Sequence, residues 1–327
     1  MKALLLKKVG SPYELSIDDI LQPEPDFGEV RIKVAFSSIN PVDYKFAKGG
    51  SSLTLPHILG IDTAGIIDAV GPGVSKWKVG DRVFSMNNLL RWGGFAEFVV
   101  VNENAVGQIP DNLSFEAAAT IPCAGITAWQ AIYRKAHLEA GQKIVINGAG
   151  GGVGGFSVQL AKQLGATVYA IASSEPERIM ALGADYVINY KQEDVYTRIM
   201  DLTHGLGVDV VIDMISSSAS SSLTSILRHN GHMVSVSGRV DINPVPAWTK
   251  AISFHEVALA FAYQHGDTSN LAEIVKGGEY LAKLMAENKI NPMINKKITL
   301  EDLSDELRSA EAGRSQGKTV IKVSGCE

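Results

Sequence analysis

Glycine crowds one short stretch of this chain. Gly148–Gly155 stands between the apolar run Ile144–Asn147 and the helical spacing of Val153–Leu164. That order suits a dinucleotide: a buried strand ends, glycines let the backbone turn close to a pyrophosphate, and the free N–H groups and positive end of the following helix face the anion. Glycine turns that bind nothing are common, so the weight lies in the placement between strand and helix. About twenty residues further on, an NAD site commonly carries a carboxylate for the ribose 2′-hydroxyl. Here the second strand ends Ala170-Ile171-Ala172-Ser173-Ser174 with no acid at its tip. Ser173, Ser174 and then Arg178 can instead receive a 2′-phosphate through charge-assisted hydrogen bonds, which favours NADPH. The competing reading is that Arg178 is a solvated helix residue paired with Glu175 or Glu177.

The elements that position these residues change character along the chain. Up to Pro122 the pattern is β-rich, with strands expected at Glu29–Phe36, Thr63–Val70, Arg82–Met86 and Ala96–Val101, separated by Gly71-Pro72-Gly73 and Gly80-Asp81. From Cys123 strands and helices alternate: Lys143–Asn147, Val153–Leu164, Thr167–Ala172, Glu175–Leu182, Tyr186–Ile188, Asp209–Asp213 and Met233–Ser237. Ile252–Phe261 is expected to close that sheet, Asn270–Asn288 to be helical and Lys318–Val323 to return as a strand to the first domain. The alternation implies an α/β fold with a Rossmann-type doubly wound parallel sheet. The expected division is a β-rich catalytic domain, residues 1–122 with 266–327, and a dinucleotide domain, 123–265. A small-molecule substrate belongs in the cleft between them. The serine-rich stretch Ser216–Ser222 reads as a mobile polar loop.

Composition excludes several alternatives. The net charge is −5 with no basic block, so nucleic acid is not the expected partner. Met1–Lys8 is too short and too interrupted by lysine for a signal peptide or membrane span, and reads as an edge strand. Cys123 and Cys326 are too few for a disulfide framework, which suggests a reducing, cytoplasmic setting.

Four separated stretches carry a family resemblance: Ser38-Ile39-Asn40-Pro41-Val42-Asp43-Tyr44-Lys45, Leu59-Gly60-Ile61-Asp62-Thr63-Ala64-Gly65, Ile121-Pro122-Cys123-Ala124-Gly125-Ile126-Thr127-Ala128 and the glycine loop. Val187–Tyr190, Gly231–Gly238 and Gly317-Lys318 extend it. Nearly end to end, the chain resembles the zinc-independent quinone oxidoreductase branch of the medium-chain dehydrogenase/reductase superfamily, the zeta-crystallin-like reductases. The resemblance implies a GroES-like first domain and a homodimer. In its register Ala149, Gly151, Gly152, Val153 and Gly154 form the pyrophosphate turn, although Gly150, Gly152 and Gly155 satisfy the same pattern shifted by one. It also implies that Thr127, Ser235, Val236 and Ser237 contact the nicotinamide half, that Tyr190, Ser173 and Arg178 line the 2′-phosphate pocket, and that Lys318 approaches the cofactor from the returning tail.

Zinc-dependent relatives hold their metal with cysteine and histidine. Asn40 and Ile61 stand where that set has a cysteine and the histidine of a Gly-His-Glu motif, leaving Cys123 alone, so no metal is expected. His57 and Cys123 read more naturally as packing residues. Without a Lewis acid, hydride transfer to a quinone or α,β-unsaturated carbonyl compound is favoured, because charge spreads to a distant oxygen and hydrogen bonds suffice. The candidate donors are Asn40 and then Tyr44, whose phenol can protonate an enolate; as structural residues they would be a turn and a core aromatic. Asp43 and Asp62 are expected to hold loop backbone or ribose hydroxyls, and Trp92 with Phe95 either walls a planar substrate or packs the core. An enoyl or alkenal reductase of a metabolic intermediate, and a low-turnover NADPH-binding redox sensor, are the alternatives.

Overall fold

The computed structural model describes residues 1–11, 13–49, 53–243, 245–246, 248–313 and 316–325. Cys326 therefore lies outside the described residues. Two compact units emerge, Met1–Ile126 with Leu259–Glu327, and Thr127–Ala258. The strands of the first part of the chain are β1 (Lys2–Lys8), β2 (Glu14–Asp19), β3 (Glu29–Ser38), β4 (His57–Ile58), β5 (Asp62–Val70), β6 (Arg82–Met86), β7 (Phe98–Asn102) and β8 (Val106–Gln108). The second unit holds β9 (Lys143–Asn147), β10 (Thr167–Ile171), β11 (Tyr186–Ile188), β12 (Val208–Asp213), β13 (Leu227–Ser235) and β14 (Ser253–Glu256). The returning tail adds β15 (Ile294–Thr299) and β16 (Lys318–Lys322) to the first unit.

In the second unit the strand order is β11-β10-β9-β12-β13-β14, and every neighbouring pair is parallel. The order runs outward in both directions from β9 and β12, which makes the carboxyl end of β9 the topological switch point, the usual ligand position in such sheets. Strand β12 is buried along its whole length, as expected of a strand covered on both faces. Val145, Tyr169, Ile171, Ile188, Ile199, Val211 and Met233 form a core here.

The first unit is built on the order β15-β16-β3-β5-β6-β8, with β7 also pairing β3. Its alternating strands bury Val30, Ile32, Val34, Ile67, Val83, Val99 and Val101. Strand β16 lies antiparallel to β3, pairing Val320 with Ser38, which sets Lys318 just beyond the end of β3.

Two expectations are corrected. Strand β1 is central, not an edge, lying between β2 and β4; Ala3–Leu6 are all buried, and only a covered strand keeps four such residues dry. The serine-rich stretch is a helix, Ser217–Leu223, not a loop. Ser216 caps it by accepting from Ala219 N, while Ser221 and Ser222 satisfy their hydroxyls on carbonyls one turn back, the local bonding that lets serine sit in a helix.

Candidate active site

The glycine loop follows β9 directly. Gly148 has φ +89°, and its N–H and that of Ala149 both donate to Ile171 O at 3.2 Å, closing the loop onto the end of β10. Gly151 is the N-cap of the helix Gly152–Gln163 and carries no side chain to cap it. A Cβ on Gly154 would lie 2.2 Å from Gly148 O, whereas one on Gly150 would meet nothing within 4 Å. Gly148 and Gly154 are thus the positions that demand glycine, one for its backbone angle and one for helix-to-loop packing. The first-turn N–H groups of Gly152, Val153 and Gly154 have no intrahelical acceptor, and no acid stands in that turn. This arrangement fits a pyrophosphate, and these are the groups that would hold one.

Around the tip of β10, Ser173 is half-buried and Ser174 exposed. Arg178 does not stand alone there: its Nε donates to Glu175 and its Nη2 to Gly150 O at 2.8 Å. Glu175 has φ +52°. Tyr190 is exposed.

The carboxyl ends of β12 and β13 carry a second polar group that sequence reasoning missed. Asp213 is fully buried. It accepts from Asn147 Nδ2 at 2.6 Å, from Ser220 Oγ at 2.6 Å and from the N–H groups of Ile215 and Ser216 at 3.3 Å. It thereby ties the residue before the glycine loop to the loop after β12. Ser235 sits 3.0 Å from Ser220 Oγ, Val236 N donates to Asp213 O, and Ser237 donates to Met214 O, so the end of β13 and the two residues after it belong to the same cluster. Thr127 is buried and not joined to it. The available signal for Asp213 was a carboxylate at the carboxyl end of the buried strand Val208–Asp213.

The first unit concentrates charge instead. Pro41 opens the helix Pro41–Ala47, a position where its fixed φ and missing N–H cost nothing. Asp43 in the first turn reaches back to Asn40 N at 2.8 Å and accepts from Gly60 N and Ile61 N at 3.2 Å. Asn40 and Asp62 are buried with Lys318. Asn40 Nδ2 donates to Asp62 Oδ2 at 2.6 Å and to Ser38 O at 3.3 Å, and Lys318 Nζ donates to Asn40 Oδ1 at 2.7 Å and Ile39 O at 2.9 Å. Lys318 Nζ also lies 3.4 Å from Asp62 Oδ2. Ser38 Oγ donates to the same carboxylate, and Cys123 N donates to its other oxygen at 2.7 Å. Every donor and acceptor of the Asn40 carboxamide is engaged. Asp43 and Asp62 hold loop backbone, as one of their two expected roles required, and Lys318 sits in this network.

Tyr44 is outside it. Its charged neighbours are Glu311, Asp43 and Lys48, and burial, then Glu311, raises its phenol above the ordinary value. Asp43 is pushed up to about 7 by burial and by the facing Asp62, against its backbone donors and Lys318. Burial, then Asp62, drives the Cys123 thiol well above its usual range. Burial holds His57 below its ordinary value. Phe95 is fully buried while Trp92 keeps 38% of its surface exposed, so Phe95 packs the core. Among the described residues no group of three or more His, Cys, Asp and Glu side chains converges to hold a metal ion, and no helix is long and apolar enough to cross a membrane.

A dinucleotide-type parallel sheet joined in sequence to a β-rich unit defines a class of dehydrogenase, and the comparisons with known proteins agree. Residues 26–111 match the alcohol dehydrogenase GroES-like domain and residues 152–276 the family described as zinc-binding dehydrogenase. The quinone oxidoreductase of Sus scrofa is 34% identical over 79% of this chain and 80% of its own length. An NAD-dependent alcohol dehydrogenase of Sulfolobus acidocaldarius is 30% identical over 99% of this chain and 100% of its own. The solved quinone oxidoreductase of Coxiella burnetii superposes with a TM-score of 0.82 at 29% identity, covering 99% of each chain. The chain belongs to the quinone oxidoreductase branch of the medium-chain dehydrogenase/reductase superfamily. It is an oxidoreductase of a family that binds a nicotinamide cofactor.

Proposed function

We propose that this chain is an NADPH-dependent, zinc-independent reductase that transfers a hydride to a quinone or an α,β-unsaturated carbonyl compound, working as a cytoplasmic homodimer. The observation that carries the reading is the Lys318–Asn40–Asp62 network. An ammonium 2.7 Å from Asn40 Oδ1 and 3.4 Å from Asp62 already supplies the cation there. The remaining groups suit zinc poorly: Ile61 is apolar, and a single thiol, that of Cys123, falls short of the three protein ligands a catalytic zinc takes. Bound NADPH supplies the hydride. For the rest, the chain's own residues bind and orient. The first turn of Gly152–Gln163 receives the pyrophosphate, Ser173, Ser174, Arg178 and Tyr190 form the 2′-phosphate side, and Thr127 with Ser235–Ser237 serves the nicotinamide side. Asn40 is locked by Lys318 and Asp62 and acts by orienting what it touches. Tyr44, a phenol that is protonated at neutral pH, is the proposed donor to the substrate oxygen.

Steady-state NADPH oxidation over a panel of quinones, enones and saturated ketones tests this. Quinone and enone turnover, unchanged by a chelator, is expected; turnover of saturated ketones alone, with stoichiometric zinc in the purified protein, would overturn it. The cofactor half has its own test. Arg178→Ala should weaken NADPH by about ten-fold or more while NADH moves less than about two-fold, since only the phosphate engages a charge-assisted fork; equal weakening of both sinks the NADPH assignment.

A further inference from the structure

We infer that Glu175 is a specificity-determining residue that restrains the preference for NADPH by competing with the 2′-phosphate for Arg178, so that the protein accepts both NADPH and NADH. The inference rests on the NADPH reading above and adds a second group to it. Glu175 is the first carboxylate after β10, four positions beyond Ile171. Its backbone adopts φ +52°, a left-handed conformation uncommon for a residue with a side chain, and its carboxylate accepts from Arg178 Nε. Arg178 is anchored on its other side by the carbonyl of Gly150, at 2.8 Å, in the middle of the glycine loop. The guanidinium is therefore held where the second strand ends beside the pyrophosphate turn, the region in which this kind of sheet places the adenosine ribose.

The two cofactors differ there by one phosphate. A 2′-phosphate brings about two negative charges, gains the guanidinium, and meets the Glu175 carboxylate already bonded to it. A 2′-hydroxyl brings no charge and meets no penalty. Glu175 thus taxes only the phosphorylated cofactor, while Arg178 rewards only that one, and their ratio sets the selectivity. Both side chains keep about a third of their surface exposed, 36% for Glu175 and 30% for Arg178, so either can be changed without opening a core.

Calorimetric titration of the full-length protein with NADPH and with NADH reads this without turnover. Glu175→Gln, which keeps the shape and removes the charge, should tighten NADPH by about ten-fold and move NADH less than about two-fold. In the Glu175→Gln, Arg178→Ala double variant that gain should vanish, because the competition needs the guanidinium. An unchanged NADPH-to-NADH ratio in Glu175→Gln, a tightening that survives in the double variant, or a selective weakening of NADH would each overturn the inference, the last by making Glu175 a ligand of the ribose hydroxyl. Failure of the NADPH reading is separately visible: there Arg178→Ala alone weakens both cofactors equally, whatever Glu175→Gln does.

Discussion

The two units solve opposite problems with polar groups. In the first, Asn40, Asp43, Asp62 and Lys318 are buried and spend their hydrogen-bonding capacity on one another and on nearby backbone. In the second, Gly151 brings no side chain to cap the helix Gly152–Gln163, so the N–H groups of Gly152, Val153 and Gly154 stay open to a ligand. A saturated charged network is rigid and dry, and removing one member strands the others. An open turn tolerates change wherever space remains and fails wherever backbone touches backbone. The first unit should therefore be sensitive to charge and the second to volume.

The largest effect is expected from the charge. Lys318→Met keeps the length of the side chain but leaves Asp62 buried beside Asn40 without its cation, and breaking a buried pair in this way costs about 3–5 kcal/mol. Urea unfolding followed by fluorescence would measure it. A loss below about 1 kcal/mol would mean that Asp62 is compensated elsewhere and would remove the contrast between the units. The matching change in volume is smaller. Gly154→Ala drives a Cβ to 2.2 Å from Gly148 O, so the loop or helix must shift, at about 1–3 kcal/mol for an overpacked site, and dinucleotide affinity should fall with it. Gly150→Ala, with nothing within 4 Å, should stay within about 0.5 kcal/mol of the parent. Equal effects of the two alanines on calorimetric affinity would break the assignment of Gly154 as the packing glycine.

The same contrast explains what could be read from the chain. The glycine loop was legible because its demands are local: the φ of Gly148 and the close approach at Gly154 are met by residues a few positions apart, flanked by strand and helix of the right periodicity. Strands β6, β9 and β11 fell at the expected residues because each is a short apolar run bounded by turn residues. The first-unit network was only half legible. Asn40, Asp43, Asp62 and Lys318 are each singled out in the sequence, but Lys318 meets the others from 256 positions beyond Asp62, through the pairing of β16 with β3, and no local pattern encodes that register. The sequence shows the Asn40 amide but not its partners: Asp62 Oδ2 and Ser38 O take its N–H groups, and Lys318 donates to its oxygen. Arg178 was open to two readings for the same reason: Glu175 reaches it only because the backbone turns left-handed between β10 and the next helix.

A pH slope confined to the first unit sharpens the same contrast. Folding raises the Asp43 carboxyl to about 7, chiefly through burial and then through the facing Asp62, while in the unfolded chain it has its ordinary value near 3.9. Between those values the folded state holds a proton that the unfolded state has released. The contribution of this group is therefore fully present below about pH 4 and is lost as pH rises through about 7, with a slope of at most about 1.4 kcal/mol per pH unit. Urea midpoints taken from pH 5 to 8 should fall with rising pH in the parent protein, and Asp43→Asn, neutral throughout, should remove that part of the fall. Gly148–Gly155 has no titratable side chain, so Gly154→Ala should leave the slope as it is. If Asp43→Asn keeps the full slope, the three backbone donors hold Asp43 ionised in the folded state and the burial of the first-unit charges is offset more completely than its pKa implies.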